Sequence, residues 1–390
     1  MIPDFCLENC SKLTEVKIPN SVELIGESAF SKCTSLKKVI FGNNSMLKEI
    51  KKNAFQCCSS LESIAIPSSV EIIDTNVFDQ CLSLEEVGFE SSSRLNCIKG
   101  RAFNQCTSLS HFSVPSAVST ISFRLFFGCQ KLVEITIPSS VTSIESWAFG
   151  CCSSLEKVTF ASPSSLVEIK SKAFSDCSSL FVIKIPSTVS SIEKEVFTDC
   201  LSLKQVIFED NSLLEKLPER IFYGCKSLEI VNIPQKVTKI EKSAFRSCPL
   251  LSNINLPPFL REIGDWAFYG CKSIKQITIP ESVTIIGEVA FSGCESLTNI
   301  NIPNKIDKIK RFTFERCSSL EKVVIPSSVT QIGQFAFSRC LSMTELTVPS
   351  SVKNIDDFAF EGCTRLDIII SRNTKFEEKS FLKCSSVKEN

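Results

Sequence analysis

Seventeen of the 21 cysteines fall into one register, at Cys10, Cys33, Cys58, Cys81, Cys106, Cys129, Cys152, Cys177, Cys200, Cys225, Cys248, Cys271, Cys294, Cys317, Cys340, Cys363 and Cys384. Of the sixteen intervals between them, eleven are 23 residues, four are 25 and the last is 21. A phenylalanine stands three residues before every one of these cysteines except Cys10, where Leu7 takes the place. So strict a period makes the 390 residues an array of one short unit rather than two or three globular domains.

The unit that runs from Cys271 to Cys294 shows what each part does. Ile277 and Ile279 alternate with Gln276 and Thr278, the pattern of a short strand with one apolar face. Pro280 ends the strand because it has no N–H for a further ladder bond. Ile274, Val283 and Ile286 point inward, and the stretch from Gly287 to Cys294 is expected to turn so that Ala290, Phe291 and Cys294 share one helical or 3₁₀ face.

Length and proline vary together. All eleven 23-residue units carry proline nine residues after the cysteine, as at Pro19, Pro67, Pro138 and Pro326. The four 25-residue units instead end the strand on Phe41, Phe89, Phe160 or Phe208 and add two residues before Leu47, Leu95, Leu166 or Leu214. The insertion is thus confined to one outer loop, which a stacked coil tolerates because neighbours need match only strands and inward side chains.

The recurring Ser-Leu-x-x-Val/Ile-x-Ile-Pro-x-Ser-Val-x-x-Ile-Gly-x-x-Ala-Phe-x-x-Cys resembles the BspA-type leucine-rich repeat, over nearly the whole chain. The stretches from Ile137 to Ile144 and from Ala267 to Ile274 carry the resemblance most specifically. The expected fold is an α/β repeat solenoid, a leucine-rich-repeat arc of about seventeen turns across residues 1–390, with a parallel concave sheet and short helical or 3₁₀ segments. What the resemblance implies is a surface antigen or adhesin that binds a protein or glycoprotein, with no catalytic residue, metal or cofactor to carry over.

Composition narrows the partners. Lys+Arg and Asp+Glu are both 43, so no basic excess exists to hold a nucleic-acid backbone. No apolar run approaches the length of a membrane helix. Met1 to Cys10 has neither a basic start nor an apolar core, so no secretory signal is visible and the chain as written would stay in the cytosol.

The cysteines recur at the place of a buried apolar residue, which reads as a column of reduced thiols rather than a disulfide framework or a zinc site. Cys6, Cys57, Cys97 and Cys151 lie outside the register. His111, the only histidine, falls on the outward side of its strand and reads as a solvated residue rather than a catalytic one. The stretch from Gly264 to Ser273 superficially matches a phosphate loop, but it is the repeat itself, with Phe268 and Cys271 at core positions.

Binding is expected where side chains project outward from the strands, five and seven residues after each cysteine. Gln205, Ile207, Ile230, Asn232, Asn253, Asn255, Gln276, Thr278, Asn299 and Asn301 form an uncharged, amide-rich candidate strip, followed by Lys322 and Val324. The alternative reading is that the amides bond to one another along the sheet and stabilise it. The earlier turns offer a charged, mixed surface, with Glu15, Lys38, Glu86, His111, Glu134 and Lys157. Trp147 and Trp266, each directly before an Ala-Phe pair, are expected on another side of the coil, packing between turns. The first turn lacks a strand and a polar cap, so fraying or self-association at the N-terminal end is expected, with the chain read as an intracellular scaffold if it is not exported.

Overall fold

The computed structural model describes residues 1–90 and 92–389. They form two units, Met1–Leu201 and Ser202–Asn390. Both are coils of the same unit, a parallel leucine-rich-repeat β-solenoid of about sixteen turns in all. Cys10 belongs to a first turn that has a back segment but no front strand.

Most turns contribute a front strand and, after the outer loop, a two-residue strand. In the first unit the front strands Glu15–Ile18, Lys38–Phe41, Ser63–Ile66 and Glu86–Phe89 pair in order, as do Glu134–Ile137, Lys157–Phe160 and Val182–Ile185. Every register is parallel and shifted by one repeat, as in Glu15↔Lys38 and Ile135↔Val158. The turn after Cys106 breaks the front ladder, leaving only an isolated bridge between Glu86 and His111. Its inward residue is Phe112, where the neighbouring turns have Val87 and Ile135; the larger ring wedges edge-on among Phe89, Phe103 and Phe126 at 5.4, 5.0 and 4.7 Å. The second unit repeats the pattern with Gln205–Phe208, Ile230–Asn232 and Asn253–Ile254, then Gln276–Ile277, Asn299–Asn301 and Lys322–Val324, then Glu345–Thr347, Asp367–Ile370 and Ser386–Glu389.

The segment leading to each cysteine differs from the sequence expectation: among the described residues it is neither an α-helix nor a 3₁₀-helix but a run of tight turns. Two residues in every turn but the last, five before and one before the cysteine, take left-handed backbone, as at Asn53 and Cys57 (φ 59° and 58°) before Cys58. Amides then alternate in what they bond. Asn53, Phe55 and Cys57 donate to the carbonyls of Thr75, Val77 and Asp79 in the next turn at 3.0, 2.9 and 2.8 Å, while Ala54, Gln56 and Cys58 donate back within their own turn at 3.1, 3.0 and 3.2 Å. A helix would spend all of these amides on itself and none on the next turn. The left-handed residues cost about 1 kcal/mol each, and glycine removes that cost at Gly128, Gly224, Gly270, Gly293 and Gly362. The first turn has the same ladder: Phe5, Leu7 and Asn9 donate to Glu27, Ala29 and Ser31 at 2.8, 2.9 and 2.8 Å.

The core is a set of columns. Phenylalanines stack one per turn, from Phe30–Phe55 at 5.1 Å to Phe174–Phe197 at 5.6 Å in the first unit and from Phe222–Phe245 at 5.4 Å to Phe360–Phe381 at 5.7 Å in the second. Burying each side chain contributes about 1.5–3 kcal/mol. The Ile-Gly step of the repeat has a steric reason at Gly264, where a Cβ would lie 2.8 Å from the carbonyl carbon of Glu241 in the turn before.

Beside the rings runs the thiol column. Cys58 donates its S–H to the carbonyl of Phe30 at 3.1 Å, Cys81 to Phe55 at 3.2 Å, Cys152 to Phe126 at 3.0 Å and Cys271 to Phe245 at 3.2 Å. All 21 cysteines are free thiols, and those from Cys33 to Cys363 in the register are buried. Burial pushes Cys33 up to about 11 and Cys271 and Cys384 up to about 12, and raises Cys58, Cys81 and Cys106 as well.

Two outcomes are expected. Phe291→Ala should cost about 3–5 kcal/mol by opening a cavity between Phe268 and Phe314, read from urea unfolding; a loss below about 1 kcal/mol would mean that the column is not a packed core. The thiols also set a pH dependence. Folded thiols hold their protons above the unfolded value of about 8.5, so their stabilisation is complete below that pH and is lost above it. The melting temperature should therefore fall as pH rises from about 8.5 to 10, and a flat profile there contradicts thiol burial.

Candidate ligand-binding face

The front strands of the second unit present alternate side chains outward. Ile230, Asn232, Asn253, Asn255, Gln276, Thr278, Asn299 and Asn301 are exposed, while Gln205 and Ile207 are half-buried. Register sets them side by side: Gln205 lies against Ile230, Ile230 against Asn253, and Gln276 against Asn299. Ile230 is 40% exposed and Val324, at the end of the strip, 79%.

The amides do two different things. Asn232 donates from Nδ2 to the carbonyl of Phe208 at 2.9 Å and accepts on Oδ1 from the Phe208 N–H at 3.0 Å. Asn301 clamps Ile279 the same way, at 2.7 and 2.8 Å. Each copies a backbone pairing at the end of a strand, so these side chains hold turns together, but through the backbone and not through an amide-to-amide ladder. Among the described residues Asn253, Asn255, Gln276 and Thr278 make no side-chain hydrogen bond, and Asn299 reaches only Thr298 Oγ1 at 3.3 Å. Sequence could not separate Asn255 from Asn232 and Asn301, because all three are outward Asn seven residues after a register cysteine. A cavity of about 250 Å³ beside Asn232, bordered by Phe208, Asp210 and Lys236, belongs to the longer outer loop and escaped the sequence reading.

In the first unit the same positions mix charged side chains with small and apolar ones, and Glu15 faces Lys38 while Glu134 faces Lys157 across the sheet. His111 is exposed there. Among the described residues no group of three or more His, Cys, Asp or Glu is arranged to hold a metal ion, and no helix is long and apolar enough to cross a membrane.

The back segments carry a feature that the sequence reading reduced to packing. Trp147 lies between Arg124 and Lys172, at 5.6 and 4.7 Å from its ring. Trp266 has Arg246 over it at 4.4 Å, and the same guanidinium lies 5.1 Å from Tyr269. Arg124, Trp147, Lys172 and Trp266 stand in the column five residues before a register cysteine, in which the two tryptophans could have been aligned with Phe312, Phe335 and Phe358.

The model of the BspA-type leucine-rich-repeat region matches residues 1–122, 96–216, 215–331 and 307–390, in six copies. The chain belongs to this BspA-type family. A leucine-rich-repeat protein of Bacteroides ovatus is similar at 29% identity, with a TM-score of 0.65 over 83% of this chain and 88% of that one. The pneumococcal vaccine antigen PcpA shares the fold at 19% identity, with a TM-score of 0.51 over 100% of this chain and 92% of its own. No curated protein matches the chain. Membership makes this BspA-type protein a repeat scaffold of the interaction-module kind.

The division of the amides is checkable. Asn301→Ala should destabilise by about 1 kcal/mol through loss of the Ile279 clamp, whereas Asn255→Glu should stay within about 0.5 kcal/mol of the parent. Equal losses in chemical denaturation would show that Asn301 has no structural role.

Proposed function

We propose that this BspA-type protein is a non-enzymatic, surface-displayed recognition or adhesion module that binds a protein or glycoprotein ligand on the front strand face of Ser202–Asn390. The observation that carries the reading is the row of exposed, uncharged Asn253, Asn255, Gln276 and Thr278 with unused donors and acceptors, flanked by exposed Ile230 and Val324. Amides and hydroxyls on a stiff sheet meet peptide or sugar groups by hydrogen bonds without the desolvation cost of a charge. The apolar flanks add contact area.

Surface display rests on family membership. The thiol column is compatible with either side of a membrane, because a buried thiol with a raised pKa yields little thiolate to oxidise. Export therefore does not require the cysteines to pair.

The test uses the full chain on arrays of extracellular-matrix proteins and glycans, beside the double variant Asn255→Glu, Gln276→Glu. The parent should bind a component of the array, and the variant should bind it at least roughly tenfold more weakly with an unchanged melting temperature. Undiminished binding by the folded variant would assign the ligand to another face. Antibody staining of intact cells should detect the protein; signal only after permeabilisation would leave an intracellular scaffold instead.

A further inference from the structure

On the back of the second unit, the column five residues before the cysteines from Cys271 to Cys363 reads Trp266, Val289, Phe312, Phe335 and Phe358. All five have left-handed backbone, with φ of 60°, 59°, 58°, 57° and 61°. The three phenylalanines stack one ring per turn, at 4.9 and 4.8 Å with interplanar angles of 7° and 3°. Val289 interrupts this series by lacking a ring. Over it lies a cavity of about 300 Å³, walled by Trp266 and Tyr269 on one side and Phe312 on the other, with Glu288, Arg311 and Glu315 at the rim.

Both walls are covered on their far sides. Arg246, from the turn before, lies over Trp266 at 4.4 Å, and Phe335, from the turn after, stacks on Phe312 at 4.9 Å. With turns about 4.8 Å apart, rings two turns apart face each other across roughly 10 Å. They are too far apart to touch, and a group centred between them would lie about 5 Å from each, within the range of a cation–π contact.

The π faces set the chemistry of the guest and the rim refines it. The rim holds the carboxylates of Glu288 and Glu315, each of which already faces a guanidinium, so the edge is close to neutral. Glu288 meets Arg311 Nε at 2.7 Å, and Glu315 accepts from Ser292 Oγ at 3.1 Å and lies 3.5 Å from Arg316 Nε. An anion would meet two carboxylates, and a primary ammonium would give up strong hydration for carboxylates already engaged. An ammonium whose charge is spread over methyl groups loses little hydration and buries those methyls against the rings.

We propose that the slot over Val289 is a binding site for a quaternary ammonium group. Trp266, Tyr269 and Phe312 supply the π faces, Glu288 and Glu315 stand at the rim, and Val289 leaves the room. The site lies on a different face from the amide strip and stands or falls independently of it.

A Trp147→Phe background leaves Trp266 as the only tryptophan, so its emission reports the slot. Tetramethylammonium chloride, titrated into the full chain at constant ionic strength, should change that emission saturably. Choline and trimethyl-lysine should do the same, the tighter of the two naming the carrier, and the neutral carbon isostere of choline should bind at least roughly tenfold more weakly. Val289→Phe inserts the ring that Phe312 provides one turn later, and should keep the melting temperature while weakening the response at least roughly tenfold. Glu288→Gln with Glu315→Gln gives the same test at the rim if Val289→Phe fails to fold. A linear response to tetramethylammonium, equal binding of the neutral isostere, or an undiminished response in a folded variant each overturns the proposal.

Discussion

One carbonyl per turn, that of the phenylalanine three residues before each cysteine, joins this molecule together. Phe30 O accepts the N–H of Cys33 in its own turn at 3.2 Å and the S–H of Cys58 in the next at 3.1 Å. The chain arrives through tight turns, with left-handed residues before the cysteine that let alternate amides reach the next turn. The second donor to the carbonyl is a small, buried side chain that donates without carrying charge, and a thiol meets both conditions. The stacked rings follow, because the phenylalanines cannot leave the register that their carbonyls impose. Insertions are accordingly excluded from this segment and accumulate in the outer loop before Leu47, Leu95, Leu166 and Leu214.

Much of this was legible in the sequence because periodicity reports which residues point inward. The inward positions of Ile274, Ile277, Val283, Ile286, Phe291 and Cys294 are all buried, as the alternation required. The conformation of the back segment was not legible: Ala290, Phe291 and Cys294 would share a face in a helix as readily as in successive tight turns. Only the destination of the intervening amides distinguishes the two, and the glycines at Gly128, Gly224, Gly270, Gly293 and Gly362, one residue before the cysteine, are a mark that the left-handed backbone leaves on the sequence. At the candidate face the outward strip could be read, but not its division. Asn301 and Asn299 stand two apart on one strand, yet only Asn301 reaches the backbone of Ile279. Phe112 is a third case, where the inward pattern held but the larger ring cost the turn its strand.

The scaffold separates folding from surface chemistry. Columns of Phe, Cys and Leu are nearly invariant along the chain, while the outward positions change from mixed and partly charged in the first unit to amide-rich in the second, and the back column from Asn53 and Asn76 to Trp266 and Phe312. Surface residues on such a coil are almost free of folding duty, apart from clamps such as Asn232 and Asn301. A repeat protein can therefore carry distinct chemistries on its front strands and its back turns without a second fold.

The thiol-to-carbonyl bond is the most specific element of this account, and the S–H stretching band of the intact protein in the infrared reads it directly. The folded chain should show a narrow band at lower frequency than the thiols of the same protein in denaturant, because buried S–H groups donate to one kind of carbonyl. A folded-state band at the position of unbonded thiols, or no S–H band at all, would contradict the link between turns on which the rest of the fold is built.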